Sequence, residues 1–294
     1  MAAVTTRDAP LRAVVWMVAG CGILTINDAT MKFVTNTLPL GESIFIRGMF
    51  TFLPVLAIAL YAGGLRTLKI RAWKGQMARG ALLGVSTFCF LESLSHMPLA
   101  EATSLVFASP ILLTLLAPRF LDERVTPREW VAVMAGFAGV VLMLNPTSGD
   151  IRWVALLPLM AALGEALRDV ITRKLVATES SESMLMVSVV AVNVVALGSI
   201  GFGWRAPELS EWLWLAFAGL LLGLAHYLMT DAFRYAEATL VAPFRYSGVL
   251  WALLAGFIAF GELPDGIALA GAVLVVGSGL YVLRQRMQRA SASS

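Results

Sequence analysis

The chain has 294 residues, 59% of them hydrophobic and 14% charged, against about 45–50% and about 25% in soluble domains. Such an apolar surface needs lipid as its solvent, and a net charge of +3 argues against a nucleic-acid partner. Two cysteines, Cys21 and Cys89, lie inside apolar runs, so no disulfide framework is expected. Two histidines and two cysteines make a His/Cys metal site improbable, and no cofactor is expected.

The first apolar run, about 11–34, is too long for a signal-peptide core, contains Asp28 and Lys32, and is followed by no small-residue cleavage site. It reads as a spanning helix. A span needs roughly 20 apolar residues. Breaks at Pro, Gly and charge clusters then give further spans at about 42–62, 74–96, 100–120, 127–145, 152–174, 183–203, 211–233, 238–260 and 265–284. The junction of the eighth and ninth is blurred by Asp231, Arg234 and Glu237. The expected fold is an all-α integral membrane protein of ten transmembrane helices. With the N-terminus cytoplasmic, the inside segments hold 15 Lys and Arg and the outside segments two, Arg152 and Arg205. The positive-inside bias therefore predicts N-in, C-in, and accounts for the basic balance without an acidic partner.

Four anchors recur in order. Asp28 and Lys32 match Asp169 and Arg173 at an offset of 141. Glu42-Ser43 matches Glu182-Ser183 at 140. The stretch AEAT at 100–103 recurs at 236–239, an offset of 136. Leu121-Asp122-Glu123 matches Phe260-Gly261-Glu262 at 139. The chain reads as two five-span units, 1–146 and 147–294, within one membrane domain. Because five is odd, the second unit enters from the opposite side, as an inverted repeat. That architecture is typical of secondary transporters, with the site near the midplane and alternating access between the halves. Glu101 and Glu237 then sit at equivalent helix N-termini, where a carboxylate meets the positive end of the helix dipole or takes part in gating.

These residues resemble the drug/metabolite transporter superfamily, EamA type. The resemblance rests on Arg47; on AEATSLVFASP followed by LDE at 121–123; on Gly136 and Gly139; and on RYAEATLVAPFRY followed by FGE at 260–262 and a glycine-rich tenth span. It covers nearly the whole chain. Size and layout are similar to the YddG-type exporters of amino acids, while the second-half stretch is also of a kind found in carriers of vitamins. The resemblance implies a carrier of small organic solutes in a bacterial inner membrane. Helices one to four and six to nine would surround a cavity, with helices five and ten peripheral.

A charge at the bilayer centre costs roughly 2.5–3.5 kcal/mol on insertion scales, so each needs a partner or a task. Glu165 is the deepest carboxylate. It is the first candidate for a substrate amine or a coupling proton, with an ion pair to Arg47 or Arg168 as the alternative. Arg47 and Arg245 are candidates for a substrate carboxylate, which a guanidinium grips in bidentate fashion. Arg47 alternatively has a fold-wide role, and Arg245 snorkels to the interface. Asp28 with Lys32, and Asp169 with Arg173, are pairs spaced i,i+4 that either sit at the interfaces or seal the two faces alternately. Glu92 and His96 form either a proton relay or a rim pair. Phe88, Phe107, Tyr227, Tyr246 and Trp251 are candidate pocket rings, although such rings also face lipid. Trp16, Trp73, Trp153, Trp212 and Trp214 read as interfacial belt residues. Gly219 and Gly223 form a GxxxG for close helix packing. Pro54, Pro110, Pro158 and Pro243 lie within spans and can leave free carbonyls at a cavity wall.

No GxxxxGK[ST] loop is present to hydrolyse ATP, and no GxSG, GxGD or HExxH motif marks an intramembrane enzyme. The expected function is export of small metabolites, namely amino acids with bulky, apolar or aromatic side chains, threonine or methionine. The alternative is a carrier or importer of a vitamin or another aromatic metabolite or drug. The expected partners are the small-molecule substrate, the bilayer and, as a coupling ion, protons. The packing glycines serve a monomer or an oligomer equally.

Overall fold

A computed structural model of the chain describes residues 9–35, 37–94, 105–144, 153–201, 203–251, 254 and 266–292. Among them there are helices and turns and no strand. The helices, in chain order, are α1 (Pro10–Val34), α2 (Leu40–Tyr61), α3 (Trp73–Leu94), α4 (Ser109–Phe120) and α5 (Pro127–Leu144), followed by α6 (Leu156–Leu175), α7 (Ser181–Leu197), α8 (Leu209–Tyr235), α9 (Ala238–Val241) and α10 (Gly266–Ala292). Three of them, α1, α2 and α8, are long and apolar enough to cross a membrane by themselves. The others are shorter or carry polar residues turned inward, as on α6, where Asp169 and Thr172 are buried.

Helix α1 packs on α8 and α3 on α6; α2 packs on α7 and α8; α3 also packs on α7; and α5 packs on α10. Replacing each helix by the one five places along turns α1–α8 into α6–α3 and α2–α8 into α7–α3. The α2–α7 and α5–α10 pairs map onto themselves. The packing thus follows the same five-helix period as the sequence anchors.

Close approach is made by glycine. A methyl group on Gly219 would sit 2.4 Å from the Arg47 carbonyl oxygen, and one on Gly223 would sit 2.4 Å from Pro54 Cγ. The predicted GxxxG therefore seats α8 against α2. Its counterpart, Gly80 and Gly84 on α3 at an offset of 139, is absent from the sequence-based anchors. It seats α3 against α7, where a Cβ on Gly80 would meet Ala191 at 2.8 Å.

The fourth and ninth spans are not single straight helices. Before α4, a turn at Phe107-Ala108 separates a short helical piece from Ser109 onward. After α9, the chain tightens into a 3₁₀ turn at Ala242–Tyr246 and then resumes as a helix. At the AEAT offset of 136, the two irregularities are equivalent. Pro110 lies in the first turn of α4 and Pro243 in the first turn of the 3₁₀ segment. A missing N–H fits a first turn better than a helix interior, so these two prolines start segments.

AEAT and LDE turn out to be two halves of one contact. Glu123 is 7% exposed. It accepts hydrogen bonds from the amides of Ala238 (3.0 Å) and Thr239 (3.1 Å), at the start of α9. Glu237, the residue preceding that helix, makes no capping bond with its own side chain. The carboxylate at this N-terminus therefore comes from the first half of the chain and not, as expected, from AEAT itself. Asp122 holds a left-handed φ of 56° beside it, a conformation Asp tolerates better than most residues. The equivalent position is Gly261, the residue that adopts it most freely. The partner contact, between Glu262 and the first AEAT with Glu101, lies outside the described residues. Glu123→Ala removes two charge-assisted bonds inside the bundle and is expected to destabilise the fold by about 2 kcal/mol or more, read as earlier thermal unfolding in detergent.

Candidate functional site

Both helix irregularities face one carboxylate on α6. Glu165 Oε2 accepts from Arg245 Nη2 at 2.7 Å and from Ser109 Oγ at 3.4 Å. Arg245 lies in the 3₁₀ turn and Ser109 opens α4, and the AEAT offset makes them counterparts. Arg245 Nη1 also bonds Asp169 Oδ2, one turn further along α6. Arg168 closes on the other oxygen, with Nη2 3.0 Å from Asp169 Oδ1. The ion pair foreseen for Glu165 therefore forms with Arg245, not with Arg47 or Arg168. Arg245 is turned inward between two acids, 11% exposed, and does not snorkel to an interface. Both of its amino nitrogens are engaged, which corrects the expectation of a free carboxylate clamp. Glu165 is different: among the described residues both of its bonds land on Oε2, and at 25% exposure its Oε1 is left for a further donor.

Next to this group, Met17, Leu83, Met229 and Phe233 combine with Arg79, Arg168, Asp169, Thr172, His226, Thr230 and Arg245 to line a cleft. Its volume of about 20 Å³ has room for roughly one water. Arg79 is absent from the sequence-based candidates, yet it is 4% exposed and ties four helices together. Its Nε donates to Thr172 Oγ1 (2.8 Å), Nη1 to the Met184 carbonyl (2.8 Å) and to Ser188 Oγ, and Nη2 to Thr230 Oγ1 (3.1 Å). A count of Lys and Arg would have found it. Seventeen of the 22 fall in loops or at span ends, and Arg79 is one of five within spans, with Lys32, Arg47, Arg168 and Arg245.

The remaining candidates are dispersed. Asp28 accepts from Asn27 Nδ2 at 2.8 Å and feels the charge of Arg47 on α2. Arg47 Nε is buried without a hydrogen-bond partner among the described residues. Arg173 meets Glu123 at 3.4 Å and donates to the Phe233 carbonyl at 2.7 Å, while Asp169 is held by Arg168 and Arg245. The expected Asp169–Arg173 pair is thus replaced by separate ones, because the segment after α4 brings Glu123 to Arg173 and the 3₁₀ turn brings Arg245 to Asp169. The side chain of Lys32, and all of His96, lie outside the described residues; Glu92 is exposed near the end of α3.

Among the rings, Phe88, Phe107 and Tyr227 are half-buried. Tyr246 is fully buried. Its ring stacks edge-on to Phe107 at 6.1 Å and fills the space over Gly136, so it packs the fold. Trp251 Nε1 donates to the Val18 carbonyl at 2.9 Å and its ring covers Gly22, pinning the ninth segment to α1. Trp73, Trp153, Trp212 and Trp214 are exposed near helix ends, as a belt requires. Trp16 instead reaches Asp231 at 3.3 Å. The end of α8 runs unbroken through Asp231 and Arg234 because both find partners. Arg234 pairs with Asp231 at 3.1 Å and donates to Ser181 and to the Val176 carbonyl.

A solved crystal structure superposes with a TM-score of 0.81, covering 96% of this chain and 99% of its own, at 20% identity, which shows the fold alone. The chain is 31% identical to the S-adenosylmethionine uptake transporter of Rickettsia bellii, over 91% of this chain and 92% of that protein. It is 32% identical to the riboflavin transporter of Rhizobium johnstonii, over 95% and 94%. The EamA-like transporter family matches twice, over residues 11–145 and 152–284. Two helical halves meeting at a polar centre, together with this double match, place the chain in the EamA-like transporter family: it is a multi-pass membrane transporter and not an enzyme.

Proposed function

We propose that the protein is a secondary carrier of the bacterial inner membrane that exports amino acids with bulky, apolar or aromatic side chains, together with threonine and methionine. The open Oε1 of Glu165, at the point where both broken segments meet α6, carries this reading. A carboxylate with one oxygen fixed and the other free is a receptor for an ammonium group. The two halves are inverted about this site, the N-terminal face is cytoplasmic, and exchange between two conformations opens the site to each side in turn. Direction then follows the gradients of cargo and of any coupling proton.

A second reading is favoured by the relatives, whose names give S-adenosylmethionine and riboflavin as cargo. S-adenosylmethionine is itself an amino acid and would use the same ammonium receptor; riboflavin would not.

The test is counterflow in liposomes with labelled phenylalanine, methionine, threonine, S-adenosylmethionine and riboflavin. Glu165→Gln keeps the size of the side chain and removes its charge. It is expected to lower exchange of every amine-bearing cargo by about 10²-fold, equivalent to about 2.7 kcal/mol of a charge-assisted bond. Exchange of riboflavin alone, unaffected by Glu165→Gln, overturns the amino-acid reading.

A further inference from the structure

We propose that the cleft beside Arg79 is a subsite for a carboxylate of the cargo, separate from the ammonium receptor at Glu165. The inference rests on the carrier reading above and concerns the same polar centre.

The first observation is charge balance. Around the cleft stand three guanidinium groups, Arg79, Arg168 and Arg245, against two carboxylates, Asp169 and Glu165. Arg245 takes both acids and Arg168 shares Asp169. No carboxylate among the described residues lies within ion-pair distance of Arg79, whose four hydrogen bonds all go to hydroxyl or carbonyl oxygens. Among the described residues the polar centre therefore carries one positive charge in excess, deep in a bundle where an unbalanced charge is expensive.

The second observation is donor capacity. A guanidinium has five N–H groups. Among the described residues Arg79 uses four, leaving one on Nη2. Arg168 uses Nε and one hydrogen of Nη2 on Asp169, leaving the other hydrogen of Nη2 and both of Nη1 among the described residues. Both side chains line the cleft. Its volume of about 20 Å³ matches one oxygen atom better than a ring, so a terminal carboxylate would insert one oxygen while the body of the cargo stays outside.

The third observation is spacing. Glu165, Asp169 and Thr172 fall at i, i+4 and i+7 on one face of α6. Arg79 bonds Thr172, about 10 Å along the helix axis from Glu165 at 1.5 Å per residue. An α-amino group and its own α-carboxylate lie only a few bonds apart and do not reach from Glu165 to the Arg79 end of the cleft, whose nearer side is lined by Arg168 and Arg245. The two subsites thus favour a cargo with an ammonium group and a remote carboxylate, or two cargo orientations that use one subsite each.

Acid and amide pairs of matched shape test this directly. Acetate with acetamide, 3-phenylpropionate with 3-phenylpropionamide, and N-acetylmethionine with its amide are added to purified full-length protein, and thermal stabilisation is titrated. At least one acid is expected to act at about tenfold lower concentration than its amide. Arg79→Gln should abolish the difference, and Arg79→Lys should retain part of it. Equal potency of acid and amide in every pair of the unaltered protein, including no effect from either, overturns the subsite whether or not the variants fold. A preference for the acid that survives in folded Arg79→Gln also overturns it. Acid preference in a protein that exchanges no amino acid in liposomes would sink the amino-acid reading and leave the anion subsite standing.

Discussion

Arg245→Met is expected to be the most damaging single substitution at the polar centre. Arg245 is the shared partner of Glu165 and Asp169, so its loss leaves Asp169 to Arg168 and Glu165 without an ion-pair partner among the described residues, with Arg79 across the cleft. Removing one member of a buried ion pair costs about 3–5 kcal/mol, because the other charge stays desolvated. Loss of counterflow and a fall in thermal stability should therefore appear together. The cause can be separated from general damage. In Arg245→Met/Glu165→Gln the stranded charge of Glu165 is gone, whereas Asp169 keeps Arg168, and most of the stability should return while transport does not. If the double variant is as unstable as the single one, the stability loss does not come from the stranded acid.

The second large effect is expected at the α2–α8 contact. Gly219→Val must place its Cβ 2.4 Å from the Arg47 carbonyl and 2.6 Å from Phe50 Cβ. Neither is the tip of a flexible side chain, so the helices must separate. Overpacking of this kind costs about 1–3 kcal/mol, and more where backbone is in the way. Gly223→Val, against the Pro54 ring, should behave alike. Gly84→Ala is the contrast: its Cβ would meet only Val195, at an ordinary 3.6 Å, and alanine favours a helix by about 1 kcal/mol. The valine variants are expected to unfold at lower temperature in detergent, and Gly84→Ala at the same temperature or higher. Equal tolerance at Gly219 and Gly84 would mean that α2 and α8 are not in this close contact.

Much of the fold is readable in the chain because lipid imposes a coarse grammar. Apolar runs must be about as long as the bilayer is thick, and the AEAT and LDE motifs recur at fixed offsets. What those motifs do was not readable. Glu123 and the Ala238 amide are 115 residues apart, and nothing in either copy says that the carboxylate of one half caps a helix of the other. The same applies to the charges. Spacing of i,i+4 suggests Asp169 with Arg173, but Arg245 and Glu123 arrive from other segments of the chain and claim them. Helical spacing reports on partners within one helix, whereas a bundle decides by neighbours. Glu165 was legible by depth alone. Arg79 and the second GxxxG at Gly80 and Gly84 carried signals that were present in the sequence, as a cation inside a span and a matching offset of 139. Tyr246 shows the limit of reading rings: an aromatic near a cavity-forming segment packs on whichever glycine faces it, here Gly136.

The central claim is that the meeting point of α4, the 3₁₀ turn and α6 is a transport site reached from each face in turn. Ser109 touches Glu165 there, and Ser109→Cys changes it least. In a background with Cys21→Ala and Cys89→Ala, this single thiol can be probed with a membrane-impermeant thiol reagent. Right-side-out and inside-out vesicles present the two faces separately. Labelling from both faces, slowed from both by a transported amino acid, is the predicted result. Labelling from one face only, with or without cargo, would contradict it.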